Sequence, residues 1–147
     1  MLTIKTFSFL SFILLILSAC GPSKEEMAHH TETTSWSEMM KIHDEVMPKT
    51  SEIVSLYSDL KKVNPQIIAT NELRLEVQET IILLEDAEEA MFAWMNQLKN
   101  LKELRSQKTH EEVMIYLKQE TQKIESIRNQ MLTALERGYH IKNKLAL

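Results

Sequence analysis

The sequence predicts an all-α protein, an antiparallel three-helix bundle of long, coiled-coil-like helices. Apolar residues recur at alternating spacings of three and four along three long segments, a period near 3.5 that is typical of packed helices. The chain contains only two glycines and three prolines, and no strand-like alternation of apolar and polar residues persists anywhere. The alternative is a looser helical hairpin that is completed by dimerisation.

The three apolar stripes define the predicted helices. They run over Trp36–Leu60, Leu73–Leu101 and Val113–Ile141. A serine or threonine followed three residues later by glutamate is a capping box, which marks a helix start at Ser35 and another at Thr109. The helical domain is therefore predicted to span residues 35–147.

Two short polar segments separate these helices. The first is "VNPQ", where Asn64 is suited to cap a helix that begins at Pro65. A start at Asn71, after "IIAT", is the alternative. The second is "RSQKT", residues 105–109. Short connections predict that neighbouring helices are antiparallel.

The first twenty residues carry the features of an exported lipoprotein. The apolar run "FSFLSFILLIL" (residues 7–17) is too short to span a membrane but suits the core of a secretory signal. "LSAC" follows it and matches a bacterial lipobox, in which the cysteine is acylated, with palmitate among the acyl groups, and becomes the mature N-terminus. We predict a signal peptide over residues 1–19 and a lipid anchor at Cys20. An ordinary signal peptide with a chance cysteine is the alternative.

The segment after Cys20 has no apolar periodicity, so residues 20–34 are predicted to form a flexible tether. Within it, "KEE" (residues 24–26) resembles the lysine-plus-acid signal that sends some lipoproteins to the cell surface; solvated charge is the alternative reading. The predicted location is the cell envelope, with the lipid in the outer membrane and the protein on its periplasmic side or at the cell surface.

Three stretches of the mature chain carry a resemblance to a known family. They are "IHDEVMPKTSEI" (42–53), "LEDAEEAMFAWMNQLK" (84–99) and "YLKQETQKIESIRNQML" (116–132). Together with the lipobox they resemble the small Bacteroidetes lipoproteins called viral A-type inclusion proteins, a name that reflects coiled-coil similarity and not a viral function. The resemblance implies a helical envelope lipoprotein and supplies no catalytic residue. Thr50 departs from the family, because a methionine is expected after "MPK".

Composition excludes several classes of function. The formal net charge is −4 and no basic run occurs, so nucleic acid is not an expected partner. No nucleophile stands beside a base, and there is no glycine-rich phosphate loop and no pair of Glu-x-x-His motifs for a di-iron site. We therefore predict a non-enzymatic structural or interaction module without a cofactor, which binds a protein partner or a second copy of itself.

A cluster of soft ligands supports an alternative function, Cu(I) binding. With a tight first turn, His43 would face Glu88 and Met91 would face the first helix, near its methionines. Thioethers and imidazole suit Cu(I). The candidate ligands are His43, Met39, Met40, Met47, Met91 and Met95, with Glu88 and Trp94 around them. Ordinary core packing by methionine, a His43–Glu88 hydrogen bond and haem ligation are the competing readings.

Pro48, in "HDEVMP", lies inside the first predicted helix. Proline has no backbone N–H, so the carbonyl of Asp44 loses its helical donor and the helix is expected to kink just after His43. The kink either fits the first helix around the other two or opens the bundle beside His43.

Overall fold

The computed structural model describes residues 21–63, 65 and 68–147. They form α1 (Lys24–Val46), a 3₁₀ turn (Met47–Lys49), α2 (Thr50–Lys61), α3 (Asn71–Gln97), α4 (Leu101–Gln107) and α5 (His110–Leu145). The described residues contain no strand, and the prediction of an all-α helical bundle is confirmed. The signal peptide (1–19), Cys20 and Asn64 lie outside the described residues. None of the helices described is long and apolar enough to cross a membrane.

The first helix begins earlier than the sequence analysis predicts. Residues 24–34 are helical, so the expected tether is wrong for them and the Ser35 capping box lies inside α1. Ser23 provides the cap instead. Its Oγ accepts a hydrogen bond from the backbone N–H of Glu26 at 3.1 Å, and Oε2 of Glu26 accepts one from the N–H of Ser23 at 2.7 Å. This reciprocal pair satisfies two N–H groups that the first turn leaves without partners.

Internal contacts divide the chain after Thr31, and the bundle is the unit Glu32–Leu147. Its three rods are the part of α1 from Glu32 together with α2, then α3, then α5. The rods share one core, in which side chains such as Met39, Ile53, Leu84 and Met131 are fully buried.

Polar contacts between the rods show their directions. Lys144 Nζ on α5 lies 2.7 Å from Glu76 Oε2 near the start of α3, which makes these two helices antiparallel. Lys142 Nζ lies 2.7 Å from Asp59 Oδ2 near the end of α2, so the first and third rods are parallel. The rods thus run up, down and up, as predicted for consecutive antiparallel neighbours.

The helix is interrupted at Pro48 as predicted. α1 ends at Val46, and α2 begins at Thr50 after one 3₁₀ turn. Side chains compensate for the irregular backbone, because the Thr50 hydroxyl donates to the carbonyl of Met47 at 2.7 Å and the Ser51 hydroxyl donates to that of Pro48 at 2.9 Å.

The first connection is longer than a tight turn. α3 begins at Asn71, the second of the two predicted starts, and the Thr70 hydroxyl accepts a hydrogen bond from the N–H of Leu73 at 3.1 Å. Ile68 is buried within the connection. This alters the register of the first two rods: His43 contacts Met95, whereas a tight turn places it opposite Glu88, two helical turns away along α3.

The second connection contains a helix that the sequence analysis missed. The sequence predicts that the second helix continues to Leu101, but α3 ends at Gln97. Asn100 then caps α4, its Oδ1 accepting from the N–H of Glu103 at 2.8 Å. Leu104 of α4 is buried in a second small cluster with Val113 and Leu117. The predicted capping box of Thr109 and Glu112 is present and starts α5.

Candidate functional site

The imidazole of His43 lies between a carboxylate and a thioether. Its Nδ1 is 2.9 Å from Asp44 Oδ1, and its Nε2 is 3.4 Å from Sδ of Met95 on α3. The side chain is 15% exposed, so the ring is mostly sheltered from water. The Trp94 ring lies beside it, with the ring centres 5.8 Å apart.

These contacts select a tautomer of the neutral ring. A carboxylate only accepts, so the proton lies on Nδ1 and is donated to Asp44. Nε2 then presents its lone pair to the sulfur of Met95, with no proton between the two atoms. A histidine that binds a metal usually donates its other ring N–H to a carboxylate, a backbone carbonyl or water, and Asp44 provides such a carboxylate here.

The predicted ligands are brought together only in part. Met39 and Met91 are fully buried in the core, and Met40, Met47 and Met95 are half-buried around it. The His43–Met95 contact fixes the register of α1 and α3, and the same register sets Met47 level with Met91, one turn further along. Four candidate ligands thus form two pairs at successive levels, His43 with Met95 and Met47 with Met91. Met39 and Met40 lie on the other side of His43.

Glu88 does not have its predicted place. It is half-buried on α3, and the polar partners of His43 are Asp44 and Met95. The expected His43–Glu88 pair is therefore wrong, because it rests on a tight first turn that the chain does not make.

Trp94 donates a hydrogen bond to a buried carboxylate. Its Nε1 donates to Glu120 Oε2 at 2.9 Å, and Lys123 Nζ lies 2.7 Å from Oε1 of the same residue. The hydrogen bond that Lys123 donates to Glu120 raises the pKa of Lys123. A cleft of about 300 Å³ opens beside these side chains. Both oxygens of Glu120 thus already accept hydrogen bonds, and the one from Trp94 joins α3 to α5.

A second buried carboxylate was missed by the sequence analysis. Glu32 is 2% exposed, and its oxygens lie 2.6 Å from Arg105 Nε and 2.8 Å from His110 Nδ1. Burial raises the pKa of Glu32, but the hydrogen bonds and charges of Arg105 and His110 outweigh burial, and the pKa lies below its ordinary value. The signal was present in the sequence, since Glu32 stands seven residues before Met39 and continues its heptad stripe.

The described residues offer no other metal-binding cluster of the common kind. Among them, no group of three or more histidine, cysteine, aspartate or glutamate side chains could hold a metal ion. Comparison of the chain with protein families, curated proteins and solved structures finds no significant match.

Proposed function

We propose that this chain is a lipid-anchored protein of the bacterial cell envelope whose helical bundle works as a non-enzymatic interaction module. The observation that supports the proposal is the hydrogen bonding of the buried polar residues. The buried polar residues in the described part of the chain are Glu32, Thr50, Thr80 and Glu120, and each hydrogen-bonds within the bundle, whereas Nε of the half-buried Arg74 is buried without a partner. Polar groups paired in this way specify packing, whereas catalysis needs groups directed at a substrate.

The anchor rests on the N-terminal sequence and on the family resemblance. The apolar run and lipobox support cleavage before Cys20 and acylation of its thiol, and two acyl chains hold a protein stably to a membrane. Lys24–Glu26 resemble a signal for export to the cell surface, and the periplasmic face of the outer membrane is the alternative location. The partner is a protein or a second copy of the chain, and the acidic net charge of −4 disfavours nucleic acid.

The test is cross-linking in living cells that are also labelled with a palmitate analogue, for wild type and Cys20→Ala. Wild type should incorporate the label, stay with the membrane fraction and give a discrete cross-linked species. Cys20→Ala should lose the label and the membrane association. Labelling of Cys20→Ala at the wild-type level would contradict the anchor, and recovery of monomer alone from wild type would contradict the interaction module.

A second function, Cu(I) binding, is favoured by the contact between His43 and Met95. First-row metals bind imidazole nitrogen at about 2.0 Å and sulfur at about 2.3 Å, so donors 3.4 Å apart subtend roughly 105° at the ion, close to the tetrahedral angle. Asp44 holds the ring in the tautomer that binding requires. Met47 and Met91, one turn away, are the further thioethers that a soft cation would recruit, and Trp94 shields the pair from water.

Cu(I) is expected to raise the melting temperature of the full-length protein in a non-ionic detergent under anaerobic conditions. At a hundredfold excess of free ion over the dissociation constant the stabilisation is about 2.7 kcal/mol. His43→Leu and Met95→Leu should each abolish the shift. A variant with His29 and His30 changed to alanine should keep it, which separates the site from histidines near the N-terminus. A wild-type melting temperature that copper leaves unchanged would end this proposal.

A further inference from the structure

Six apolar side chains lie along the seam between the first rod and α3. On the first rod they are Met40, Met47 and Val54, spaced seven residues apart, and on α3 they are Ile81, Phe92 and Met95. Val54 and Phe92 are each 41% exposed, although both are large and apolar. The other four are half-buried and pack against the core from the solvent side. We call these six residues the methionine groove.

The contact between His43 and Met95 shows which residues of the first rod and of α3 lie at the same height. The His43–Met95 contact sets Met47 level with the turn of α3 that carries Phe92, and it sets Val54 level with the turn between Ile81 and Glu85. The apolar side chains thus lie at two levels, Met47 with Phe92 and Val54 with Ile81, and Glu85 and Glu88 of α3 lie between them. Methionine side chains are flexible and polarizable, and grooves rich in them adapt to the apolar face of a partner helix.

The rim of the methionine groove is acidic. Glu85, Glu88 and Glu89 follow its edge on α3, and Asp44, whose side chain is 72% exposed, lies on the first rod. Among the described residues, no ion pair is recorded for Glu88 or Glu89. Glu85 has a cation nearby, because the hydrogen bond with Tyr57 and, to a smaller extent, the charge of Glu85 raise the pKa of Lys61, whose Nζ lies 5.0 Å from the centre of the Tyr57 ring. The part of the groove beside Glu88 and Glu89 therefore combines apolar side chains with carboxylates that make no ion pair within the described residues.

We propose that the methionine groove binds a cationic amphipathic helix of a partner protein. This inference rests on the proposed interaction function and names its surface and its ligand. The partner's apolar stripe lies along Met47, Val54 and Phe92, and its lysine or arginine side chains lie against the acidic rim. A second copy of the chain is disfavoured as the occupant, because a symmetric contact would set the two acidic rims against each other.

The probe is a synthetic peptide of leucine and lysine, about 18 residues or five helical turns long, arranged as an amphipathic helix. A matched peptide carries glutamate in place of lysine. Binding to the full-length protein in a non-ionic detergent is followed by fluorescence anisotropy at low and at raised salt. The lysine peptide should bind at least tenfold more tightly than the glutamate peptide, and its affinity should fall as salt is added.

Two double variants test whether the lysine peptide binds in the methionine groove. Val54→Ser with Phe92→Ser, and separately Glu85→Lys with Glu89→Lys, should each weaken the lysine peptide about tenfold or more, and the charge variant should also lose most of the salt dependence. Controls are Ile82→Ser and Glu79→Lys, exposed positions of α3 outside the groove, which should bind as wild type does.

If the groove variants and the control variants weakened binding of the lysine peptide equally, or if neither weakened it, the assignment of binding to the methionine groove would be wrong. If the protein self-associated as its concentration rose, and the Val54 and Phe92 changes abolished this, the occupant of the methionine groove would be a second copy of the chain. The proposal of a cationic partner helix would then be wrong. The proposed interaction function is judged separately, since a cellular cross-link that survives the groove variants would uphold it while this inference fails.

Discussion

Glu32→Ala is expected to lower the free energy of unfolding by about 3 kcal/mol. Removing one partner of a buried ion pair typically costs 3–5 kcal/mol, because the remaining charge is left without compensation. The Glu32 side chain is 3% exposed, but that of Arg105 is 27% exposed and can recover part of its hydration, which sets the value at the low end. Denaturant unfolding at neutral pH measures the change.

Glu38→Ala provides the control for Glu32→Ala. Glu38 lies on the same helix and is exposed, so its loss should change stability by less than about 0.5 kcal/mol. Equal effects of the two substitutions would show that the carboxylate of Glu32 contributes no more than a solvated one, contrary to its place between Arg105 and His110.

The same carboxylate gives the stability a defined pH dependence. Arg105 and His110 hold the pKa of folded Glu32 below its ordinary value despite the opposing effect of burial, so the unfolded chain takes up this proton more readily. The contribution of Glu32 is thus complete above the unfolded pKa, near 4.3, and is lost as the pH falls through the folded pKa. The stability difference between wild type and Glu32→Gln should shrink as the pH is lowered from about 6 to 3.

The helical class could be read from the sequence because it depends on local periodicity. The stripe from Met39 through Ile53 to Leu60, and its equivalents on the other rods, determines which faces are buried. The start at Thr109 was also predictable, since a capping box involves only four consecutive residues. Pro48 behaves as its missing N–H requires.

The register of the rods could not be read in this way. It depends on the path of the connection after Lys61, where the burial of Ile68 replaces a tight turn, and no local rule measures that length. The composition of the candidate site changed with it: Met95 became the neighbour of His43 on α3, and Glu88 did not. α4 was missed for a related reason, because Leu104 is buried by tertiary contacts, in a cluster with Val113 and Leu117 of the next helix and with Trp36 of the first rod.

Gly138→Leu is expected to destabilise the bundle by about 3 kcal/mol, near the upper end of what overpacking usually costs. Gly138 lies on α5 where all three rods meet. A Cβ at this position would be 2.8 Å from Leu56 Cδ1 on α2 and 3.5 Å from Leu84 Cδ2 on α3. The backbone of Gly138 has no positive φ, so glycine is needed there for space and not for conformation. A leucine side chain has no room unless the rods separate.

Gly138→Ala separates the effect of space from that of helix propensity. Its single methyl group is too close only to Leu56 Cδ1, the end of a side chain that can rotate away, and alanine favours a helix interior over glycine by about 1 kcal/mol. The two effects oppose each other, so Gly138→Ala should unfold within about 1 kcal/mol of wild type in the same denaturant titration. If Gly138→Leu were as stable as Gly138→Ala, the rods would be further apart at this level than the contacts of Leu56 and Leu84 require, and the close approach of α2, α3 and α5 at Gly138 would be disproved.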